Sequence, residues 1–257
     1  MDKSGKIGVF DSGIGGVTVL SEIIKILPNE NYMYYSDSKN NPYGDKTDGE
    51  IKQLCDKIVQ YFIKGNCKVI VIACNTASSK AAQYLREKYH QVPFIAIEPA
   101  YKMVHDYAYD KTTLVMATKG TINSEKFNLL LKKYDNHKTY VVPCVGLADK
   151  IEAGNEEEIK KYLKENIGSY RGKVENVVLG CTHYPLIQQE IKEILGQVQF
   201  FNGAPNLAKH LKDILEERDL LNIGEGRIEF EDSQGLEQKK ERFFEILKEE
   251  GINDNIN

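Results

Sequence analysis

Two segments of the chain share one pattern: VIVIACNTAS (69–78) and NVVLGCTHYP (176–185). Each is an apolar, largely β-branched run that ends in a cysteine, Cys74 or Cys181, and continues into small and polar residues. A buried strand that stops at a thiol places it at the carboxyl edge of a parallel sheet, where α/β proteins bind their ligands. A thiolate is a competent base when a cation or nearby donors lower its pKa. A tuned thiol can also reach the range best suited to general acid–base work. Two thiols on opposite walls of one cleft suit a reaction that takes a proton from one face of a carbon and returns it on the other, which is racemisation. Each thiol has a local polar set, Asn75 and Thr76 beside Cys74, Thr182 and His183 beside Cys181. Asp11 and Ser12, at the end of the neighbouring run KIGVFDSG (6–13), come in from the next strand.

Plainer readings compete. A free cysteine is most often a small buried hydrophobe, and Cys55, Cys67 and Cys144, which carry no polar signature, read that way. Cys74 and Cys181 differ because they recur inside matched polar motifs. GIGG (13–16) invites a dinucleotide reading but fails the G-x-G-x-x-G test, since position 18 is Thr. Its glycines fit a tight turn before a helix, a seat for an anion such as a substrate carboxylate. No metal is expected, because Cys181 and His183 are i, i+2 with no further ligands at zinc-site spacing. The charged run 238–250 reads as the outer face of the last helix.

The elements that must position these residues alternate. Strands are predicted at 6–11, 31–37, 69–73 and 92–97, with helices at 16–27, 48–65 and 78–89 between them. The pattern then restarts. Strands fall at 112–117, 138–147, 174–180 and 197–202, with helices at 124–134, one or two over 148–170, 187–195 and 205–217. RIEFEDS and LEQKKERFFEILKEEG add a strand and a closing amphipathic helix. Strands alternating with helices imply an α/β fold with mainly parallel sheets, here in two similar halves. The first half, 1–97, carries Cys74 and is completed by 208–257; the second, 98–207, carries Cys181.

The bulk numbers agree. A chain of 257 residues with 41% hydrophobic and 28% charged residues is an ordinary globular protein. Its net charge of −4 and scattered basic residues leave no nucleic-acid footprint. Five cysteines with no C-x-x-C pair read as free thiols rather than a disulfide framework. No run is long and apolar enough for a signal core or a membrane span, so a cytoplasmic protein without membrane contact is expected.

FDSGIGGVTVL, NPYGDK, ACNTAS and LGCTHYPL, in that order, resemble the glutamate racemases of the aspartate/glutamate racemase superfamily. The resemblance runs from Lys6 to about Leu211. It implies two flavodoxin-like, three-layer α/β/α halves with the active site in the cleft between them, and cofactor-independent interconversion of L- and D-glutamate for peptidoglycan synthesis. By analogy Cys74 handles the α-proton of D-glutamate and Cys181 that of L-glutamate. Asp11 and His183 would assist the thiols, and Glu152, in KIEAG, would support Cys181. Asp11, Ser12, Tyr43, Gly44, Asn75, Thr76, Thr118, Thr121, Thr182 and His183 would line the substrate pocket. The resemblance also implies a homodimer. Two departures stand out, Ser36-Asp37 for the usual Gly-Asp and Asn202-Gly203 for Asp-Ser. The readings to be weighed against it are a superfamily racemase acting on aspartate or a related acid, a non-catalytic amino-acid binder, and a dithiol redox sensor.

Overall fold

The structure, a computed structural model, describes residues 2–252. Four parallel strands open it: β1 (Lys6–Asp11), β2 (Tyr32–Ser36), β3 (Cys67–Ile72) and β4 (Phe94–Ala96). Helices α1 (Val17–Ile26), α2 (Asp48–Lys64) and α3 (Asn75–Lys88) cross between them, and α4 (Tyr101–Ala108) follows. The second set is β5 (Thr113–Ala117), β6 (Thr139–Pro143), β7 (Asn176–Gly180) and β8 (Gln199–Phe201), also parallel. Its helices are α5 (Lys119–Ile122), α6 (Glu125–Tyr134), α7 (Leu147–Glu152), α8 (Glu156–Ile167) and α9 (Gln188–Leu195). Then come α10 (Ala204–Glu217), β9 (Ile228–Asp232) and α11 (Glu237–Glu249).

Two sheets result, ordered β4-β3-β1-β2-β9 and β6-β5-β7-β8. Without β9, each repeats one order, in which the first strand lies between the second and third, and the fourth lies beyond the third. β3 and β7 therefore hold equivalent places, and so do the cysteines that follow them. Alternating side chains give each sheet two cores. Val69 and Val71 of β3 join Leu20, Leu211 and Phe243 on one face, while Ile70 and Ile72 join Ile58, Phe62 and Leu85 on the other. In the second sheet Leu114, Met116 and Val177 pack toward Leu163 and Ile191, whereas Val115 and Val178 pack toward Tyr101 and Phe127. Both sheets are thus covered by helices on both faces, the arrangement that continuous apolar strands require.

The C-terminal segment belongs with the first sheet. β9 pairs in parallel with β2, and α10 and α11 both lie against α1. Tyr34 of β2 stacks on Phe230 of β9 at 5.9 Å and meets Phe243 of α11 at 4.8 Å. A buried ion pair, Lys68–Glu30 at 2.6 Å, ties the same segment down, since Lys68 also donates to the Leu220 carbonyl and Glu30 accepts from Asn222 N–H.

Several boundaries differ from expectation. α3 starts at Asn75 rather than Ser78, because Cys74 itself caps it, its sulfur accepting the Ala77 N–H at 3.5 Å. α4 and the single turn α5 were not foreseen. β6 ends at Pro143, well short of 147, and Gly146 at φ +74° turns the chain into α7. The stretch 148–170 resolves into two helices, separated at Gly154 (φ +68°) and restarted by Asn155, whose side chain accepts the Glu158 N–H.

Candidate active site

The carboxyl ends of β1, β3, β5 and β7 converge on one small cavity of about 40 Å³, space for about three waters. Cys74 and Cys181 both border it. So do Ser12, Tyr43, Gly44, Asn75, Thr76, Thr118, Thr182 and His183, placed there by loops of both halves. Asp11, Thr121 and Glu152 do not border it; they stand behind its wall.

Cys74 sits at the N-terminus of α3, where the Ala77 N–H points at its sulfur and its S–H donates to Ser12 Oγ at 3.7 Å. Burial, helped by the negative charge of Asp11, pushes the Cys74 thiol up to about 12, so it carries its proton at neutral pH. Asp11 is itself buried and pushed up by that burial, against the pull of His183, the Gly13 N–H and the Thr182 hydroxyl. Its two oxygens accept from Gly13 N–H at 2.9 Å and Thr182 Oγ1 at 3.0 Å, so the end of β1 holds the turn after β7.

Cys181 stands in a different field. The His183 Nδ1 lies 3.7 Å from its sulfur, and His183 Nε2 lies 2.7 Å from Glu152 Oε1. Burial alone would drive the ring toward neutrality, but its hydrogen bonds to Cys181 and Glu152 outweigh it and hold the imidazole protonated. Burial likewise opposes the Glu152 charge, yet His183 and Lys239 overcome it and draw the carboxyl down to about 2. The same Oε1 accepts the Ile14 N–H at 2.6 Å.

That contact revises the role of GIGG. The anion seat at the turn is filled by the protein's own Glu152 rather than reserved for substrate. The glycines permit it: a Cβ on Gly13 would lie 2.1 Å from Glu152 Oε1, and one on Gly15 would lie 2.5 Å from His183 Nδ1. The turn is shaped to receive a carboxylate and an imidazole from the other half.

Tyr43 lies in a loop between β2 and α2, and its hydroxyl donates to Asp37 at 2.6 Å, a buried and firmly protonated phenol. Thr76, Thr118 and Thr121 form one hydroxyl cluster, with Thr76–Thr118 at 2.9 Å and Thr118 donating to Thr121 at 3.0 Å. Asn75 Oδ1 is buried without a hydrogen-bond partner among the described residues. At the departures from the family pattern, Ser36 Oγ is buried with no partner among the described residues, while Asn202 Oδ1 accepts the Ala204 N–H at the start of α10.

Other residues at the site were not foreseen. Asn41, Asp45, Lys119, Cys144 and Asp149 border the cavity, and Asn41 reaches across the halves to Asp149 at 3.2 Å. Three of them flank foreseen residues, Lys119 between Thr118 and Thr121, Asp45 beside Gly44, and Asp149 one turn before Glu152. Lys239 is the larger surprise. The charged run 238–250 is not wholly an outer face, because Lys239 turns inward and pairs with Glu152 Oε2.

The sequence profile of the Asp/Glu/Hydantoin racemase family matches residues 15–211. A glutamate racemase of Clostridium perfringens is 42% identical over 93% of this chain and 94% of its own. Among solved structures, a glutamate racemase isoform from Bacillus anthracis superposes with a TM-score of 0.85 at 29% identity, covering 96% of this chain and 95% of that one. The glutamate racemase from Francisella tularensis, solved with D-glutamate, gives a TM-score of 0.79 at 31% identity, covering 95% and 94%. The chain belongs to the Asp/Glu/Hydantoin racemase family and, within it, to the glutamate racemases.

Proposed function

We propose that this protein interconverts L- and D-glutamate by a cofactor-independent transfer of the α-proton between two thiols, supplying D-glutamate for peptidoglycan. The observation that carries the reading is the pair of cysteines at equivalent strand ends of two like sheets, both bordering one cavity.

The asymmetry of the two thiols supports a direction for each step. Cys181 has the protonated His183 ring 3.7 Å from its sulfur, a charged partner that Cys74 lacks. Cys74, pushed up to about 12, holds its proton. With L-glutamate bound, Cys181 takes the α-proton, the α-carbon flattens, and the Cys74 thiol protonates the opposite face. The reverse reaction needs Cys74 charged, and the Ala77 N–H, the helix end and the Ser12 hydroxyl are the groups placed to stabilise it. Asn75 Oδ1, without a partner among the described residues, is an acceptor for the substrate ammonium, and the threonine hydroxyls with nearby N–H groups are donors for its carboxylates.

Purified, reduced protein in D₂O with L-glutamate and no added cofactor tests this, with α-proton loss followed by NMR and optical activity by circular dichroism. Racemisation with solvent deuterium incorporated is the expected result. Exchange of neither enantiomer would overturn the reading, and exchange of aspartate alone would transfer it to the shorter acid. Cys74→Ser and Cys181→Ser should each lower kcat/KM by at least about 10³-fold, since each removes a proton-transfer group.

A further inference from the structure

We propose that Lys239, on the C-terminal helix α11, is a positioning residue for the Cys181 half-reaction, acting through Glu152 to fix the His183 ring against the Cys181 sulfur. The inference rests on the two-thiol reading above. Glu152 Oε1 is shared by the Ile14 N–H at 2.6 Å and His183 Nε2 at 2.7 Å. Both contacts fall on one oxygen, so the carboxylate could pivot about it. Lys239 takes the other oxygen and removes that freedom. His183 then presents Nδ1 to the thiol at 3.7 Å.

The surroundings make this a built contact rather than a stray surface pair. The side chains of Glu152 and His183 are 9% and 2% exposed, and Lys239 is 24% exposed, far less than the 50% of its neighbour Lys240. Phe243, Ile246 and Leu247 anchor α11 in the core beside α1, which sets where Lys239 can reach. Glu152 comes from α7, so the pair joins the C-terminal segment to the opposite half. A partly buried cation that completes a carboxylate's coordination restrains a catalytic group, and small displacements of such groups are costly.

The test compares the unsubstituted protein with Lys239→Met, Lys239→Arg and the surface control Lys240→Met. Lys239→Met is expected to lower kcat/KM about tenfold. The fall is equal in both directions, because the enantiomers have equal free energies. The diagnostic is the primary isotope effect. With α-deuterated L-glutamate it should rise, because the Cys181 step becomes more rate-limiting, and with α-deuterated D-glutamate it should fall. Lys239→Arg should restore most of the rate, while Lys240→Met should change nothing. In ¹⁵N-histidine-labelled protein the His183 ring signals should move in Lys239→Met alone. An unchanged kcat/KM, or isotope effects that shift together, overturns the positioning role. Unmoved His183 signals overturn it as well, whatever the activity. Failure of the unsubstituted protein to racemise glutamate would sink the racemase reading instead, and the ring signals would still decide the role of Lys239.

Discussion

Replacing Glu152 with Gln tests the electrostatic core of the site while keeping its shape. The native carboxylate accepts from the Ile14 N–H, meets the His183 ring and pairs with Lys239, all with its side chain 9% exposed. Gln keeps an acceptor for Ile14 but loses the charge that holds His183 protonated. A hydrogen bond to a charged partner is worth about 1.5–3 kcal/mol, so losing this one costs roughly 10- to 150-fold in kcat/KM at about 1.36 kcal/mol per decade. Stability should follow. Glu152 is drawn from 4.5 to about 2 on folding, worth about 3 kcal/mol at neutral pH. A lowered folded pKa makes that stabilisation complete above about 4.5 and drains it as pH falls toward about 2. Urea unfolding of the two proteins should therefore differ most near pH 6 and converge on acidification through pH 4 to 3. His183 works in the opposite sense: its raised pKa contributes below its unfolded 6.5 and is lost as pH rises through the folded value. The assays are circular dichroism kinetics in both directions and urea melts across pH. A Glu152→Gln variant that stays within about threefold of native kcat/KM, with a pH-independent stability difference, would refute the reasoning.

Gly13→Ala and Gly15→Ala should each cost at least about tenfold in kcat/KM, because their Cβ atoms would strike Glu152 and His183; Gly49→Ala, with open space around it in α2, should stabilise by about 0.5–1 kcal/mol in thermal melts. Asp11→Asn removes a charge that raises Cys74, so alkylation of Cys74 at fixed pH, followed by peptide mass spectrometry, should quicken; a slower reaction would contradict that assignment. Lys68→Met should lose about 3–5 kcal/mol in urea melts by stranding buried Glu30, and pairing it with Glu30→Leu should recover much of that loss. A neutral Lys68→Met would show that the pair does not bear on stability.

The thiols were legible because two observations coincided, a cysteine at a strand end and its repetition in a second half. Asp11, His183 and Glu152 were legible through the family's motifs. What the sequence could not supply was direction across space. Lys239 lies in a run of charges, and periodicity cannot say which of the two lysines on the first turn of α11 faces inward. Likewise GIGG announced an anion seat, but the occupant sits 138 positions away on α7. α4 escaped because its apolar residues are mixed with tyrosines and charges just after Pro99. Cys74 as helix cap escaped because a thiol is not among the residues that usually cap helices.

The cavity between the thiols holds about three waters, less than a glutamate occupies. A substrate of that size needs more room than the loops around the cavity leave in this arrangement. Contacts that span the halves around it include Ile14 with Glu152, Lys239 with Glu152, Asp11 with Thr182, Thr18 with the Thr182 carbonyl, Thr76 with Thr118, and Asn41 with Asp149. The bonds of His183 to Glu152 and Cys181 lie wholly within the second half, and what reaches them from the first is the Ile14 N–H and Lys239, both on Glu152.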